Sequence, residues 1–586
     1  MKAPWAPHRT GRALHKCLVA TRRIHARSDR PAEKVHVWFL LPGTEPGQVV
    51  EDLECLPPPQ EILTDEFGRK IAHFYFPRIP AGRAAIARWT ARISTAPVVF
   101  PVSGGPRPGK AAIPGRIRRL YLADGPYYGI RSPYIRKTAE KIRGDERDPA
   151  RLVRKIVLYL ETHLSYEMTG GWDDAATVLR RGTGSCSEYT YSFIALCRAM
   201  GIPARFVGAT MCRRRDEPSF DWAHHRWAEA FLPGRGWVQA DPLRRDCLGP
   251  RSFTISSPRC VLGHGDGGKG PLGWRYTSTA KAQGRPDITE EFFWCEDPGP
   301  GIYRKVLDLS SRPGKSAPTP AEAAEALSRI PAEMTFPFLA DLLGEGDGKV
   351  LEKTARALCR ISLSCAREIR YRFRRSRPAL GALTAALAGA MGRKDPPVTG
   401  KWIGLFPFGK GPTLPPRRRG PFAVRKGILT NRGKPGRILF SYVAGDRFLL
   451  DFRFRTEGAG NCALLLARDG RGKGLRLPFH PPEPGLRKRN YLQGTSAGCR
   501  RGLYAVKPGS FHRGLVVMDL WRASFYLDGK KVLEQKNPPG GLGRIGFSVR
   551  GNRTTLAVSR LRILEVPENG DAGDFLEDPG LEIRRD

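Results

Sequence analysis

The stretch Gly182-Thr183-Gly184-Ser185-Cys186, with the apolar run that follows it to Met200, decides how this chain is read. Phe193, Ile194, Leu196, Cys197 and Met200 fill the interior of a helix predicted from about Cys186 to Met200. Gly201 is its natural stop and Pro203 blocks continuation. Cys186 therefore stands in the first turn, where unpaired backbone N–H groups and the macrodipole favour thiolate over thiol. The glycines just before it allow close approach of backbone to a substrate carbonyl, and the Cys186 N–H is a candidate oxyanion donor.

Working outward, strands are predicted over Ala204–Gly208, His225–Leu232 and Trp237–Asp241. The last two are joined by the tight turn Pro233-Gly234-Arg235-Gly236. His225, Trp227, Glu229 and Phe231 share one strand face, and Asp241 ends the neighbouring strand of the same hairpin. A thiol nucleophile needs a base within reach and a third group to orient that base, and such a hairpin can hold an imidazole beside a carboxylate. His224 competes with His225 as the base, since strand alternation turns one of the two away. Cys197, Cys212 and Cys247 read as buried structural residues.

These blocks resemble the transglutaminase-like superfamily. Gly184-Ser185-Cys186 with Leu196-Cys197-Arg198-Ala199-Met200-Gly201-Ile202-Pro203-Ala204-Arg205 is similar to its nucleophile helix and following strand. His225-Arg226-Trp227-Ala228-Glu229 looks like its His-Ala-Trp-x-Glu strand. Gly236-Trp237-Val238-Gln239-Ala240-Asp241-Pro242 looks like its Gly-Trp-x-x-x-Asp-Pro strand. The resemblance implies a papain-type Cys-His-Asp centre with Cys186 as nucleophile, His225 as base and Asp241 as orienting residue. It selects His225 over His224, and it implies acyl transfer to water or to an amine through a thioester, with no metal or cofactor required. Two positions depart from the pattern: Arg226 replaces a small residue, and Leu243 follows Asp-Pro in place of Thr or Ser. Both bear on substrate preference. Tyr166 and Trp172 are candidates for an oxyanion side-chain donor.

At 586 residues the chain exceeds one hydrophobic core, and roughly three to five domains are expected. The fold class expected is multidomain α+β. Residues 1–33 read as a disordered basic arm and 34–104 as a small β-sandwich, the latter similar to the domain that often precedes bacterial members of the superfamily. Residues 119–300 read as the transglutaminase-like core, and 317–393 as a helical segment resembling helix pairs of the HEAT kind. Residues 394–436 read as a Pro-, Gly- and Arg-rich linker. Residues 437–566 read as an all-β sandwich that resembles concanavalin-like, laminin-G-type domains, with the Asp528-Gly529 turn of a hairpin inside it. Residues 567–586 read as a solvated acidic tail.

The 12 cysteines form no Cys-x-x-Cys pair, which argues against a disulfide framework and against zinc ribbons. The spacing Cys260-x-x-x-His264 lacks a partner pair. Free thiols fit a cytoplasmic location, and a misassigned start codon leaves export open. The formal net charge is +41, but the basic residues are spread over the whole chain and their runs lack interleaved aromatics. Specific nucleic-acid binding is therefore not expected, whereas salt-sensitive attraction to polyanions is. No apolar run reaches the length of a membrane span. The expected partners are a protein or peptide substrate, and carbohydrate at the C-terminal sandwich. The competing reading is a catalytically silent scaffold that keeps the fold for recognition.

Overall fold

The computed structural model describes residues 5–102, 112–167, 172–244, 247–249, 251–311, 318–345, 348–373 and 376–390. Further on it describes 402–406, 422–425, 428–431, 434–444, 448–457, 461–468, 475–478, 509–519, 522–536, 543–550 and 554–565. The chain divides into two compact units, Met1–Ala317 with Ile330–Pro337, and Pro318–Arg329 with Phe338–Asp586. The fold is multidomain α+β with several antiparallel sheets.

In the first unit, two antiparallel sheets enclose a core of Leu18, Ile24, Val37, Phe39, Phe74, Trp89 and Trp294, among others. One sheet runs in the order Ser219–Phe220, Asp287–Glu296, Leu14–His25, Ala84–Thr95, Gln48–Leu56. The other runs Ser278–Gln283, Ala32–Leu41, Lys70–Ile79, Glu61–Thr64. The sandwich expected over 34–104 is thus completed by strands from both sides of that range.

Two expectations are corrected here. The basic arm expected over 1–33 contains a twelve-residue strand, Leu14–His25, at the centre of the five-stranded sheet, and Cys17, Leu18, Val19 and Ala20 are fully buried. Its basic residues are neutralised by acids on Asp287–Glu296: Lys16 by Glu296, Arg22 by Glu290 at 3.3 Å and Arg23 by Glu291 at 3.6 Å. The catalytic core expected over 119–300 also ends earlier than 300, because Ser278–Gln283 and Asp287–Glu296 pair with sandwich strands and not with the core sheet.

Beside the sandwich, the helices Pro133–Arg143, Pro149–His163 and Ala175–Arg181 pack around the helix Cys186–Ala199, twelve of whose residues are buried. This central helix lies on a four-stranded sheet ordered Gly236–Ala240, His225–Leu232, Ala204–Met211, Arg259–His264. Ala204, Phe206, Ala228, Ala230, Val238 and Ala240 face the helix in one continuous core. Small residues on the sheet bring the helix close to it, and the helix start is thereby placed beside the hairpin ends.

In the second unit, the helix Gly348–Ile361 packs against Pro320–Arg329 and Arg377–Ala390. The all-β part forms two sheets around Phe448, Leu450, Phe452, Leu464, Val516, Phe525, Phe547 and Ile563. A side chain at Gly514 would collide with the Phe452 ring, its register partner, at 2.2 Å. The linker expected over 394–436 is corrected in part: Trp402–Phe406 and Ile428–Thr430 pair with the strand Thr555–Glu565, and Ala423–Arg425 pairs with Ile428–Thr430. Their partner strand lies over 120 residues away, so local composition concealed the pairing. The tail expected over 567–586 lies outside the described residues.

Candidate active site

The approach to Cys186 is built by local chemistry. Gly182 closes the helix Ala175–Arg181 in a left-handed conformation (φ 73°) that favours glycine. Thr183–Gly184 then runs parallel to Ser165–Tyr166. Glu188, fully buried, accepts the Ser185 N–H through Oε2 at 2.7 Å and Arg181 Nη2 through Oε1 at 2.9 Å. A Cβ at Gly184 would come within 3.1 Å of Glu188 Cβ and 3.2 Å of Val178 Cγ1, so a small residue is favoured there. Ser185-Cys186-Ser187-Glu188 is a capping box, and it fixes the first helical turn that carries the thiol.

The hairpin supplies the other two groups. His225 Nε2 donates to Asp241 Oδ2 at 2.7 Å, and Asp241 Oδ1 accepts the Leu243 N–H at 3.1 Å. With Nε2 so engaged, Nδ1 is the nitrogen left for the hydrogen bond between His225 and the Cys186 thiol. The structure thus brings Cys186, His225 and Asp241 together in that order. His224 points elsewhere, with Nε2 3.5 Å from Glu290 Oε1 and its ring edge-on to Phe292.

The backbone at His224 is left-handed (φ 55°) and is held by Asp221. Asp221, fully buried, accepts the His224 N–H at 3.1 Å, the Met211 N–H at 2.8 Å, the Thr210 hydroxyl at 3.0 Å and Arg213 Nε at 2.8 Å. Asp221 itself follows the edge strand Ser219–Phe220, and its N–H donates to Phe292 O at 2.9 Å. The sandwich sheet therefore anchors the loop that delivers the imidazole.

Burial raises the cost of a charged Cys186. The His225 hydrogen bond, the His225 and Arg226 charges and the Arg226 N–H outweigh it, and the thiol pKa falls below its ordinary value. Burial likewise opposes an imidazolium at His225, but the Asp241 charge and hydrogen bond, together with Cys186, raise it to about 10. Each charge of the pair thus favours the other: imidazolium at His225 lowers the thiol pKa, and thiolate at Cys186 raises that of the imidazole. Other cysteines move the opposite way: burial pushes Cys212 and Cys55 up to about 11 and Cys359 up to about 12.

Among the candidate oxyanion donors, Tyr166 is half-exposed and near enough to Cys186 to feel its charge, with burial the larger cause of its raised pKa. Trp172 packs instead among Tyr127, Tyr191 and Tyr276. Cys260 is buried, and His264 is drawn to Glu229 at 3.3 Å and Glu45 at 3.7 Å. Glu229 also binds Arg205 Nε at 2.7 Å, and that guanidinium lies over Trp237 at 4.1 Å.

Sequence reasoning missed Glu188, Asp221 and the role of Arg226. The spacing Ser185-x-x-Glu188 could have revealed the first. Asp221 has no recognisable signature, because its carboxylate partners Thr210, Met211, Arg213 and His224 follow no helix or strand spacing. Arg226, which departs from the family's strand pattern, sits with its guanidinium over Tyr276 at 5.7 Å, with Nη1 donating to Ala223 O at 3.1 Å.

Residues 136–242 match the family model described as the transglutaminase-like superfamily. No curated protein matches the chain. Among solved structures, a candidate cysteine protease from Cytophaga hutchinsonii is similar at 17% identity, covering 49% of this chain and 92% of that one, with a TM-score of 0.35. The carbohydrate-binding module CBM66 from Bacillus subtilis is similar at 14% identity, covering 28% and 96%, with a TM-score of 0.20. The periplasmic domain of TgpA from Pseudomonas aeruginosa is similar at 15% identity, covering 40% and 89%, with a TM-score of 0.22. Residues 136–242, which contain all three members of the Cys186, His225 and Asp241 set, are a transglutaminase-like domain.

Proposed function

We propose that this chain is a thiol-dependent enzyme acting on peptide or amide carbonyls, with Cys186, His225 and Asp241 as its catalytic residues. The observation that carries this reading is the position of His225, hydrogen-bonded to Asp241 through Nε2 and to the Cys186 thiol on its other side. The Cys186 thiolate attacks the carbonyl carbon, and the oxyanion that forms is met by the Cys186 N–H at the helix start. His225 gives its Nδ1 proton to the departing amine, which leaves a thioester on Cys186. His225 then removes a proton from water, which attacks the thioester and releases a carboxylic acid and the free thiol. Asp241 holds the imidazole orientation throughout and stabilises its charged form. Hydrolysis is the proposed outcome, and an amine in place of water would give a crosslinking acyl transfer by the same steps. In the second unit we infer HEAT-like helix pairs and a concanavalin-like sandwich serving carbohydrate recognition.

The test is labelling with a thiol-reactive probe across pH 4 to 9, comparing wild type with Cys186→Ala and His225→Ala. Selective labelling at Cys186 well below the pH of an ordinary thiol is expected, weakened by His225→Ala and followed by turnover in a peptide and amide substrate screen. Labelling of Cys186 no faster than that of the other cysteines would overturn the reading in favour of a catalytically silent scaffold.

A further inference from the structure

Beside the catalytic pair, the core sheet of the first unit buries a positive charge that has no anion next to it. Arg259 opens the strand Arg259–His264 and Trp227 lies on His225–Leu232, with Ala204–Met211 between them, and both side chains are 1% exposed. The Arg259 guanidinium meets neutral acceptors: Nη1 donates to Ser257 O at 3.2 Å and to Ala96 O at 3.5 Å, and Nη2 to Gln239 Oε1 at 3.3 Å. Its Nε is buried without a hydrogen-bond partner. The acid whose charge it feels is Glu229, which is bound to Arg205 and lies 3.3 Å from His264. Burial lowers the Arg259 pKa to about 10 against that opposing pull. A guanidinium taken out of water needs opposite charge and a full set of acceptors, and the described residues give Arg259 neither.

A pocket of about 20 Å³ opens beside it. Arg259 and Trp227 both line this pocket, and Trp227 Nε1 is a second buried N–H without a partner. Ser257 lines it as well, and its Oγ accepts Arg244 Nη1 at 2.7 Å, which leaves the hydroxyl proton to donate. His225 and Asp241 form another part of the wall, hydrogen-bonded to each other at 2.7 Å. The second Asp241 oxygen is committed to the Leu243 N–H at 3.1 Å. One water needs roughly 10–15 Å³, so the pocket suits a single atom-sized guest and is too small for sulfate, phosphate or a substrate side chain.

We propose that this pocket binds one monatomic anion of chloride size, held by Arg259 Nε, Trp227 Nε1 and the Ser257 hydroxyl. A water in the same place would accept from the two N–H groups but bring no charge to Arg259. A halide accepts from every one of these donors and also pairs the buried guanidinium, and hydrogen bonds to an ion are the stronger kind. Cys186 does not line the pocket, so the anion adjoins the catalytic pair without entering the path of the thiol chemistry.

The experiment measures thermal melting of the full chain in sodium chloride and in sodium gluconate at equal ionic strength, the difference being the chloride increment. Wild type should show an increment that saturates with chloride concentration at about 2–4 °C, and bromide should reproduce it. Trp227→Phe keeps an aromatic ring and removes one donor, and it should raise the half-saturating chloride concentration by about tenfold or more. Arg259→Gln should abolish the increment. Cys186→Ala should keep it, so that failure of the anion site and failure of the thiol chemistry are read separately. Crystals soaked in sodium bromide should show an anomalous peak within hydrogen-bond reach of Arg259 Nε and Trp227 Nε1. No increment and no bromide peak would mean that the pocket holds water only, and an increment unchanged in both Trp227→Phe and Arg259→Gln would place the chloride elsewhere; either result overturns the proposal. Should Arg259→Gln fail to fold, Trp227→Phe and the bromide peak decide between these outcomes.

Discussion

At the scale of single residues, the two limbs of reactivity belong to different groups. Thiolate at Cys186 forms as pH rises through its lowered pKa, and imidazolium at His225 is lost as pH rises through about 10. Turnover should therefore be bell-shaped in pH, with the acid limb set chiefly by Cys186 and the alkaline limb by His225. Asp241→Asn removes the largest influence that raises His225. The alkaline limb should move to lower pH and kcat should fall by roughly 10²–10⁴-fold. The linkage has a definite sign as well: a pKa raised on folding stabilises fully below about 6.5, and that stabilisation fades as pH climbs through about 10. Arg226→Ala removes a cation beside the thiolate while keeping the backbone N–H that points at it. The acid limb should shift to higher pH and labelling near pH 6 should slow several-fold, as a pH series of iodoacetamide labelling would show. A substitution that left both limbs unmoved would place Arg226 outside the thiolate's field.

At the scale of elements, the nucleophile helix depends on a carboxylate that never touches substrate in the proposed chemistry. Glu188→Ala removes the acceptor of the Ser185 N–H and the partner of Arg181, a residue about one-third exposed. The expected cost is about 1–3 kcal/mol in urea unfolding, with a slower thiol reaction because the first turn is less well held. Glu188→Gln keeps an acceptor for the Ser185 N–H and should recover much of the thiol reactivity but less of the stability. The helix and the two hairpin strands were readable because their signals are local: an apolar helical run with a glycine stop, strand alternation, and a four-residue turn. For the Cys186, His225 and Asp241 set, local signals left His224 and His225 both open as the base, and the choice of His225 rests on the resemblance of the strand His225-Arg226-Trp227-Ala228-Glu229 to the transglutaminase-like superfamily. The anchoring of His224 by Asp221 was not readable, because the bonds to Thr210, Met211, Arg213 and His224 form only when the irregular segment between two strands folds back on itself, and no helix or strand spacing signals that.

At the scale of the molecule, the strand Leu14–His25 separates what composition suggests from what the fold requires. Its arginines and lysine looked like a solvated arm because the acids that neutralise them, Glu290, Glu291 and Glu296, lie over 260 residues later. In the folded unit it sits between Asp287–Glu296 and Ala84–Thr95, and the former strand also pairs with Ser219–Phe220 on the approach to His225. Removing the strand would expose two pairing edges and open the core around Trp89 and Trp294. A chain lacking residues 1–25 should therefore be recovered as aggregate, with no Cys186-selective labelling in any soluble fraction. A chain ending at residue 337 retains all of the first compact unit and should stay soluble, melt cooperatively and label at Cys186 with the pH profile of the full chain. Solubility and selective labelling in the first case, or loss of both in the second, would mean that the sheet order does not govern the site, and circular dichroism melts with probe mass spectrometry on the two truncations decide the matter.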